Sequence, residues 1–553
     1  MLVNNKILTP ITIWQGFNDD LPLKDAVIKT IALNSYDLNY LYFSGRETKE
    51  NRVRIYGLYA KQKTVSKGSI LILPNVVDTI DYELVVHFAN LGYNVLSVDL
   101  RGEDDSVSDY TKYPKDVSYA NYKNSSRTFF HVDKTAKETC WYEWACVARY
   151  GVSFLKFKNP SHKICVLGNK YASNVLWQVA SMDKRVDCAI FLYGAGWLAY
   201  KGLSKLEGNN IEINDERAKF LAGVEAQSYA QYVECPVLFL TSTNSSEFDS
   251  DRAIDTIMRI KNQSDCYLNF ITNAKNVLDL NSLNDCNLFL EKFVCESLTL
   301  KLCQPELEID VDGEDVYYEV KAPNKTEIIS MHIFTSFNDV NPTDRVWYNV
   351  LNCVENKSRS FVYKQRVFSV CNSIIAFAVI KYKNGFTVST KYNFKKVEIE
   401  TSSSVPSVVF SATKFPSNFI VENIKTKKIG NVFSSERLYN IVEGPLNILG
   451  ICSENTITSY AIKKLAYKLN DDSFVKFDMY TAINDILTVT LKDDNNEFNF
   501  SCNVKGGNNW QNIFIPLTEF KTINGMPIKN FNDLYSVSIS SQGKFIINNF
   551  ILL

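Results

Sequence analysis

A lysine stands at the point where the sequence predicts a sharp turn from a buried strand into a helix. The segment KICVLGNKYASNVLW, residues 163–177, begins as an apolar strand, passes Gly168 and continues with helical spacing from Ala172. Lys170 occupies the turn at the positive end of the helix dipole, where the dipole and partial desolvation both disfavour its charge. A neutral amine in this place could act as a nucleophile or as a base.

Two simpler interpretations of Lys170 stay open from the sequence. Its side chain could point to solvent, or it could pair with an acidic neighbour such as Asp99, Asp104 or Asp249. Either arrangement would leave the lysine without a catalytic role, because an exposed or ion-paired ammonium is a poor nucleophile.

A dense aromatic cluster, CWYEW at residues 140–144, is the second candidate for chemistry. Its cysteine and two tryptophans share one helical face, which predicts packing in the core. Glu143 could reach a cleft, but a single carboxylate defines no reaction. A Cys140 nucleophile would need a histidine beside it, and His131 is the histidine nearest to it in the sequence.

The composition bounds the class of protein. A chain of 553 residues is too long for one hydrophobic core, so about three domains are expected. The 60 basic and 61 acidic residues nearly cancel, which excludes a global attraction to nucleic acid or to an anionic membrane. The 13 cysteines form no CxxC pair, so reduced and mostly buried thiols are expected, without disulfides or a zinc site.

The sequence contains no apolar run long enough to predict a transmembrane helix. Its first residues, MLVNNKILTPITIW, lack the apolar core and the cleavage site of a signal peptide. We therefore expect synthesis and first folding in the cytoplasm, with later assembly at a surface or in a coat as an open alternative.

The residues between about 50 and 300 alternate strand and helix patterns. The predicted strands are 68–75, 94–102, 163–168, 187–195, 235–243 and 267–272, and the predicted helices are 81–93, 138–157, 172–183, 249–262 and 284–298. This alternation predicts a parallel sheet with helices on both faces.

After Pro305 the pattern changes to short aromatic and β-branched runs, which predicts all-β structure. A linker-like TSSSVPS at 401–407 separates two such blocks. We predict an α/β domain with an N-terminal extension at 1–303, an immunoglobulin- or fibronectin-like sandwich at 304–402, and a jelly roll at 403–553.

Four motifs in the first block carry a resemblance to a known family: ILPN at 72–75, GYNVLSVDLRGEDDS at 92–106, VLGNKYA at 166–172 and CPVLFLTSTNSSEFD at 235–249. Together they resemble the α/β-hydrolase superfamily, in particular the branch that holds dienelactone hydrolases and acetyl-xylan-type esterases. The resemblance implies acyl-transfer chemistry by a serine at the elbow, then an acid, then a histidine, in that chain order.

The resemblance places Lys170 where the G-x-S-x-G elbow has its serine. Gly168 and Ala172 are the small flanking residues that such an elbow requires. By the same resemblance, Asn75 and Tyr171 correspond to the oxyanion-binding positions. The small residues of the elbow are therefore kept, while its nucleophile is replaced.

The acid position implied by the resemblance falls on Asp249 or Asp251, after the LFLTSTN strand. The alternative is that Asp249 or Ser250 simply caps the helix that follows. The base is expected after the last core strand, where NAKNVLD at 273–279 has Asn276 and no histidine.

The chain has four histidines, His87, His131, His162 and His332, and none of them follows the last core strand within the first block. A serine-histidine relay needs a base within hydrogen-bond reach of the nucleophile. Because serine and histidine are lost together, the sequence predicts a degenerate hydrolase site.

The third block resembles jelly rolls of the carbohydrate-binding-module type, on NNWQNIFIPLTEF at 508–520 and LYSVSISSQGKFIINNFIL at 534–552. Tyr480, Trp510 and Tyr535 are the candidate aromatic residues for a sugar. The alternative for Trp510 is packing in the core beneath the preceding turn.

A structural calcium ion is a further expectation for the third block. Its oxygen ligands could come from Asp471, Asp472, Asp478 and Asp493. Aspartate-rich turns also occur in β-proteins that bind no metal, so no cofactor is predicted beyond this ion.

Four hypotheses for function follow from the sequence. The first is a pseudo-hydrolase that binds a ligand or a partner protein, and the second is a structural protein that self-associates. The third is an atypical carbohydrate-ester or other acyl hydrolase that uses Lys170 with Asp249. The fourth is a glycan-binding protein that uses its jelly roll.

Overall fold

The computed structural model describes most of the chain. The described residues are 7–126, 128–208, 210–272, 278–298, 304–323, 326–357, 359–368, 370–400, 408–412, 419–421, 427–429, 432–434, 440–464 and 469–552. Three blocks of secondary structure follow one another along these residues.

The first block contains one mixed sheet and the helices that cover it. Its strands are β1 Ala26–Ala32, β2 Tyr36–Glu47, β3 Arg52–Gln62, β4 Ser69–Leu73, β5 Asn94–Val98, β6 Ile164–Asn169, β7 Cys188–Leu192, β8 Val237–Ser242 and β9 Cys266–Ile271. Its helices are α1 Pro10–Ile13, α2 Tyr82–Asn90, α3 Cys140–Lys158, α4 Tyr171–Met182, α5 Asp215–Gly223, α6 Ala226–Tyr229, α7 Ser250–Ile257 and α8 Leu280–Phe293.

The strand order in this sheet is β1-β2-β3-β5-β4-β6-β7-β8-β9. Strands β4 to β9 pair in parallel, and β1, β2 and β3 extend the sheet in antiparallel fashion. Strands β4, β5 and β7 are buried along their whole length because helices cover both faces of the sheet. The predicted parallel sheet is therefore confirmed, whereas the sequence analysis did not identify β1 to β3.

The middle block is a sandwich of two antiparallel sheets. Its strands are β10 Glu306–Asp312, β11 Asp315–Lys321, β12 Ile328–Phe337, β13 Tyr348–Val350, β14 Cys353–Lys357, β15 Ser360–Arg366, β16 Cys371–Tyr382, β17 Thr387–Ser389 and β18 Asn393–Ile399. One sheet has the order β10-β11-β15-β14, and the other has the order β13-β12-β16-β17 with β18 also paired to β16.

The third block also stacks two antiparallel sheets. Its strands are β19 Val408–Phe410, β20 Ile420–Val421, β21 Lys427–Ile429, β22 Val432–Ser434, β23 Ile441–Glu443, β24 Leu449–Ser453, β25 Thr456–Ser459, β26 Phe474–Thr481, β27 Asp485–Lys492, β28 Glu497–Val504, β29 Gln511–Pro516, β30 Ser536–Ser540 and β31 Phe545–Leu552. The two large sheets have the orders β23-β24-β31-β26-β29, with β19 also paired to β31, and β20-β25-β30-β27-β28. Strands β21 and β22 form a separate two-stranded sheet, and both all-β predictions are confirmed.

The middle block packs directly on the last strand of the first sheet. The rings of Phe270 in β9 and Tyr392 stack at 4.2 Å between centroids. The hydroxyl of Ser389 donates to the side-chain oxygen of Asn269 at 3.0 Å and accepts from the backbone N–H of Phe270. One hydrophobic core therefore runs from the first block into the middle block.

The described cysteines are free thiols, and most of them are buried, as expected. Cys303 lies outside the described residues. No helix in the described ranges is both long enough and apolar enough to cross a membrane.

Candidate functional site

The backbone at Lys170 has the geometry of a sharp strand-to-helix turn. The residue separates β6 from α4 and has φ 54° and ψ −120°, a conformation that costs a residue with a side chain on the order of 1–3 kcal/mol. Its N–H donates to the carbonyl of Leu192 at 2.9 Å, and its carbonyl accepts from the N–H of Ser173 at 3.0 Å. The turn is held from both sides.

Two glycines make room for this turn. A Cβ atom on Gly168 would lie 2.9 Å from the carbonyl oxygen of Ala172 and 2.9 Å from the Cα of Ser173, both backbone atoms that cannot rotate away. A Cβ atom on Gly194 would meet the carbonyl oxygen of Lys170. The steric requirement expected at Gly168 is therefore present in the structure.

The strand order and this elbow together decide the fold of the first block. It is an α/β-hydrolase fold. The elbow stands at the carboxyl end of the inner strand β6, at the edge of the sheet where such folds place their ligands.

The side chain of Lys170 is half-buried and has no hydrogen-bond or ion-pair partner among the described residues. Each of the three acids considered as partners is engaged elsewhere. Asp99 accepts from the backbone N–H groups of Arg101, Gly102 and Thr111, and burial raises its pKa to about 7. Asp104 pairs with Arg101.

Asp249 caps the helix that follows it. Its Oδ1 accepts from the backbone N–H of Asp251 at 2.9 Å and from that of Arg252 at 3.2 Å. Burial raises the pKa of the Asp249 carboxyl to about 6. The capping alternative describes what this side chain does in the structure.

Asp251 forms a buried ion pair with an arginine from the middle block. The guanidinium of Arg345 donates from Nη1 to Oδ1 at 2.6 Å and from Nη2 to Oδ2 at 2.5 Å, and the two side chains are 0% and 4% exposed. Arg345 also donates to the carbonyls of Asp339 and Val340. The loop that would supply an acid therefore anchors the middle block to the first.

Two of the histidines bond to groups other than Lys170. The Nε2 atom of His87 lies 3.1 Å from the side-chain oxygen of Asn287 in α8. The Nδ1 atom of His162 lies 3.3 Å from the hydroxyl of Ser69, at the amino end of β4, whereas the elbow stands at the carboxyl edge of the sheet.

The other two histidines also make no bond to Lys170 in the described part of the chain. The buried Nδ1 atom of His131 has no partner there. His332 lies in β12 of the middle block, and burial lowers its pKa. The position of Asn276, where the base was expected, lies outside the described residues.

Aromatic side chains fill the space beside the elbow. The ring of Tyr171 is 9% exposed and lies edge-on to Phe129 at 5.2 Å and to Phe248 at 5.3 Å between centroids. Lys201 donates to its hydroxyl at 3.2 Å. Asn75, the other oxyanion-like position, is 8% exposed, and its Oδ1 has no described partner.

The cluster CWYEW is structural. Burial raises the pKa of the Cys140 thiol, whose sulfur lies 4.0 Å from the carbonyl oxygen of Thr128. Glu143 does not reach a cleft, and that expectation is wrong. Its carboxylate is fully buried, where it pairs with Arg46 and accepts from the hydroxyl of Tyr119 at 3.2 Å.

The three aromatic residues considered for sugar binding do not form one face. Trp510 is 4% exposed, and its Nε1 donates to the carbonyl of Pro445 at 2.8 Å, so its ring packs inside as the alternative stated. Tyr480 lies beside it at 6.2 Å between ring centroids. Tyr535 precedes β30, which belongs to the opposite sheet.

Two of the four aspartates considered for calcium bond to separate groups. Asp478 accepts from the side-chain amides of Asn512 and Asn549, and Asp493 accepts from the backbone N–H groups of its own turn. Asp471 and Asp472 lie in the turn before β26. Across the described ranges, no three His, Cys, Asp or Glu side chains are grouped to hold a metal ion.

No family model matches the chain, and no curated protein matches it. Solved structures similar to it include acetyl xylan esterase 1 from Thermoanaerobacterium sp. JW/SL YS485, with 14% identity, 50% of this chain and 88% of that chain covered, and a TM-score of 0.38. An acetyl xylan esterase from Paenibacillus sp. R4 has 11% identity and a TM-score of 0.41, and the match covers 53% of this chain and 97% of that chain. An acylaminoacyl peptidase from Pyrococcus horikoshii has 15% identity and a TM-score of 0.35, and the match covers 47% of this chain and 42% of that chain. Our fold assignment rests on strand order and elbow geometry.

The strained turn predicts the effect of removing the Lys170 side chain. We expect Lys170→Gly to raise the free energy of unfolding by about 1 kcal/mol, because glycine adopts positive φ without a steric penalty. Lys170→Ala keeps a Cβ atom and serves as the matched control, with no such gain. Urea unfolding followed by tryptophan fluorescence measures both, and equal stabilities for the two variants would contradict the prediction.

Proposed function

We propose that the protein acts by binding, with its α/β-hydrolase-fold block serving as a scaffold without acyl-transfer activity. One observation carries the proposal: the elbow presents Lys170, and no described histidine or carboxylate bonds to it. A relay needs a base that contacts the nucleophile and a third group that orients the base.

The engagement of the acid loop supports the same proposal. Asp249 caps α7, and both carboxylate oxygens of Asp251 accept hydrogen bonds from Arg345. A carboxylate in a buried bidentate ion pair is not available to orient a base. The loop has a structural role that accounts for both acids.

A hydrolase that uses Lys170 is the second candidate function. The observation in its favour is the half-buried amine on a strained turn, which has no partner among the residues that the structure describes. Strained backbone at a functional residue is common in active sites. Against it stands the lack of any described group that could accept a proton from this amine.

An esterase assay separates the two candidates. The full chain is incubated with p-nitrophenyl acetate and with acetylated xylan, beside Lys170→Ala and the matched control Lys184→Ala, which removes an exposed lysine paired with Glu234. We expect no multiple-turnover release above the buffer rate for any of the three proteins. Turnover that only Lys170→Ala abolishes would establish the second candidate and end the first.

Self-association stays a prediction. Its structural support among the described residues is β1, an edge strand on which Val27 and Ile28 are about half exposed. Exposed apolar edge strands can pair with another chain.

A further inference from the structure

An open groove separates the middle block from the third block. We call it the interdomain groove, and its volume is about 930 Å³. One wall is formed by residues of β12, β13 and β15, and the other is formed by residues of β26, β29 and β31. Grooves of this size commonly hold small-molecule ligands.

Alternate side chains of β26 form part of one wall of the groove. Phe474, Lys476 and Asp478 line it, while the residues between them, Val475 and Phe477, are fully buried in the core of the third block. Because side chains of a strand alternate between its two faces, one strand supplies both the core and the wall.

Asp478 orients two amides in this wall. Its carboxylate accepts from Nδ2 of Asn512 at 3.0 Å and from Nδ2 of Asn549 at 2.7 Å. A carboxylate oxygen accepts and cannot donate when ionised, so the two amide nitrogens must face it, and their carbonyl oxygens face away. Lys476 lies 3.7 Å from the carboxylate and offsets its charge.

Three side-chain oxygens that belong to groove residues have no hydrogen-bond partner among the described residues. They are Oδ1 of Asn549, Oδ1 of Asn349 and Oε1 of Gln365, so both walls contribute. Asn549 is 7% exposed and is held at φ 50°. A buried acceptor without a donor is costly, and the broad terminal torsions of Asn349 and Gln365 allow these two oxygens to turn toward a donor, whereas the amide of Asn549 is oriented by Asp478.

The same groove has an aromatic end. Phe514 is 54% exposed, and its ring lies 4.5 Å from that of Phe474, which in turn lies 5.7 Å from the ring of Phe368. These rings offer an apolar surface beside the polar wall. A ligand that matches both must combine C–H faces with hydrogen-bond donors.

The charged residues of the groove are already paired. Lys364 pairs with Asp315 and Arg366 with Glu314. No excess of either charge is left to attract a phosphate, a carboxylate or a polyamine. The chemistry therefore favours a neutral ligand.

We propose that the interdomain groove binds a neutral saccharide, whose hydroxyl groups donate to the three unpartnered amide oxygens and whose C–H face packs on Phe514. The proposal rests on the binding function proposed above and names its ligand class. It places the site between two blocks. Trp510 borders this groove with its ring packed inside, Tyr535 does not line it, and Phe514 is the exposed ring that would contact the sugar.

The test uses the full chain and isothermal titration calorimetry with a panel of neutral hexasaccharides built from xylose, glucose, mannose or N-acetylglucosamine. We expect at least one to bind. Phe514→Ala and Gln365→Ala should each weaken that binding about tenfold or more, because each removes one predicted contact. The matched control is Ile486→Ala. Ile486 is 50% exposed on the opposite sheet of the third block, so this variant should bind the saccharide as the parent chain does.

Three outcomes would overturn the groove proposal. One is a panel on which no hexasaccharide binds, and another is binding that neither groove variant weakens although both retain the parent unfolding midpoint. The third is stronger binding of a neutral extended peptide than of any saccharide, which would reject the ligand class. None of these outcomes depends on the esterase assay, so the groove proposal and the proposed lack of acyl transfer can fail separately.

Discussion

Arg345→Met should lower the free energy of unfolding by about 3–5 kcal/mol, because it leaves the carboxylate of Asp251 buried without its partner. The two side chains are 0% and 4% exposed, so water cannot replace the lost hydrogen bonds. Methionine approximates the length of the arginine stem, which limits the cavity that the substitution creates. The readout is the midpoint of the first unfolding transition, since a chain of several blocks does not unfold in two states.

Two controls assign this loss to the buried pair. Lys383→Met breaks an exposed pair with Glu327 in the same block, where the side chains are 68% and 67% exposed, and should cost less than about 1 kcal/mol. The double variant Asp251→Leu with Arg345→Met removes both charges and should recover most of the loss. A double variant no more stable than Arg345→Met would show that the carboxylate is not the cause.

Glu225→Gln should stabilise the chain at pH 8 by on the order of 3 kcal/mol and leave its stability at pH 4 unchanged. Glu225 is 1% exposed, and its Oε1 accepts from the backbone N–H of Ala199 at 3.2 Å, in the loop that follows β7. Burial raises the pKa of this carboxyl to about 7. Glutamine has the same shape and keeps an acceptor for that N–H.

The direction of the pH effect follows from proton binding. The folded chain keeps a proton on Glu225 up to about pH 7. The unfolded chain releases that proton near pH 4.3. Between these values the folded state holds more protons, so the parent chain loses stability as the pH rises, and the glutamine variant does not. The exposed Glu234→Gln should show no such gain, and a stability difference that stays constant from pH 4 to pH 8 would contradict the prediction.

Much of the first block could be predicted from sequence because its signals are local. The apolar runs predicted β4 and β6, and the helical spacing predicted α3 and α4. The structure has all four elements at those positions. The elbow was also visible, since the close approach at Gly168 depends on residues within one turn of the chain. Strands β1 to β3, which extend the sheet in antiparallel fashion, were not identified from the sequence.

The candidate site could be predicted only in part. Its residue types showed that Lys170 replaces the expected serine and that no histidine follows the last core strand of the first block. The engagement of each acid was not visible, because the partner of Asp251 lies 94 residues further along the chain. The sequence left open that Glu143 could reach a cleft, and the structure buries it with Arg46.

By itself, the sequence determined the succession of the parallel strands β4 to β9, the sharp turn at Lys170 and the absence of a histidine between residues 163 and 331, all of which depend on neighbouring residues or on residue type. Only the tertiary structure decided that Arg345 holds the acid loop, that Trp510 is buried, and that Asn349, Gln365 and Asn549 line one groove. The physical reason is that burial and hydrogen-bond partners come from packing between distant segments, which no local pattern encodes.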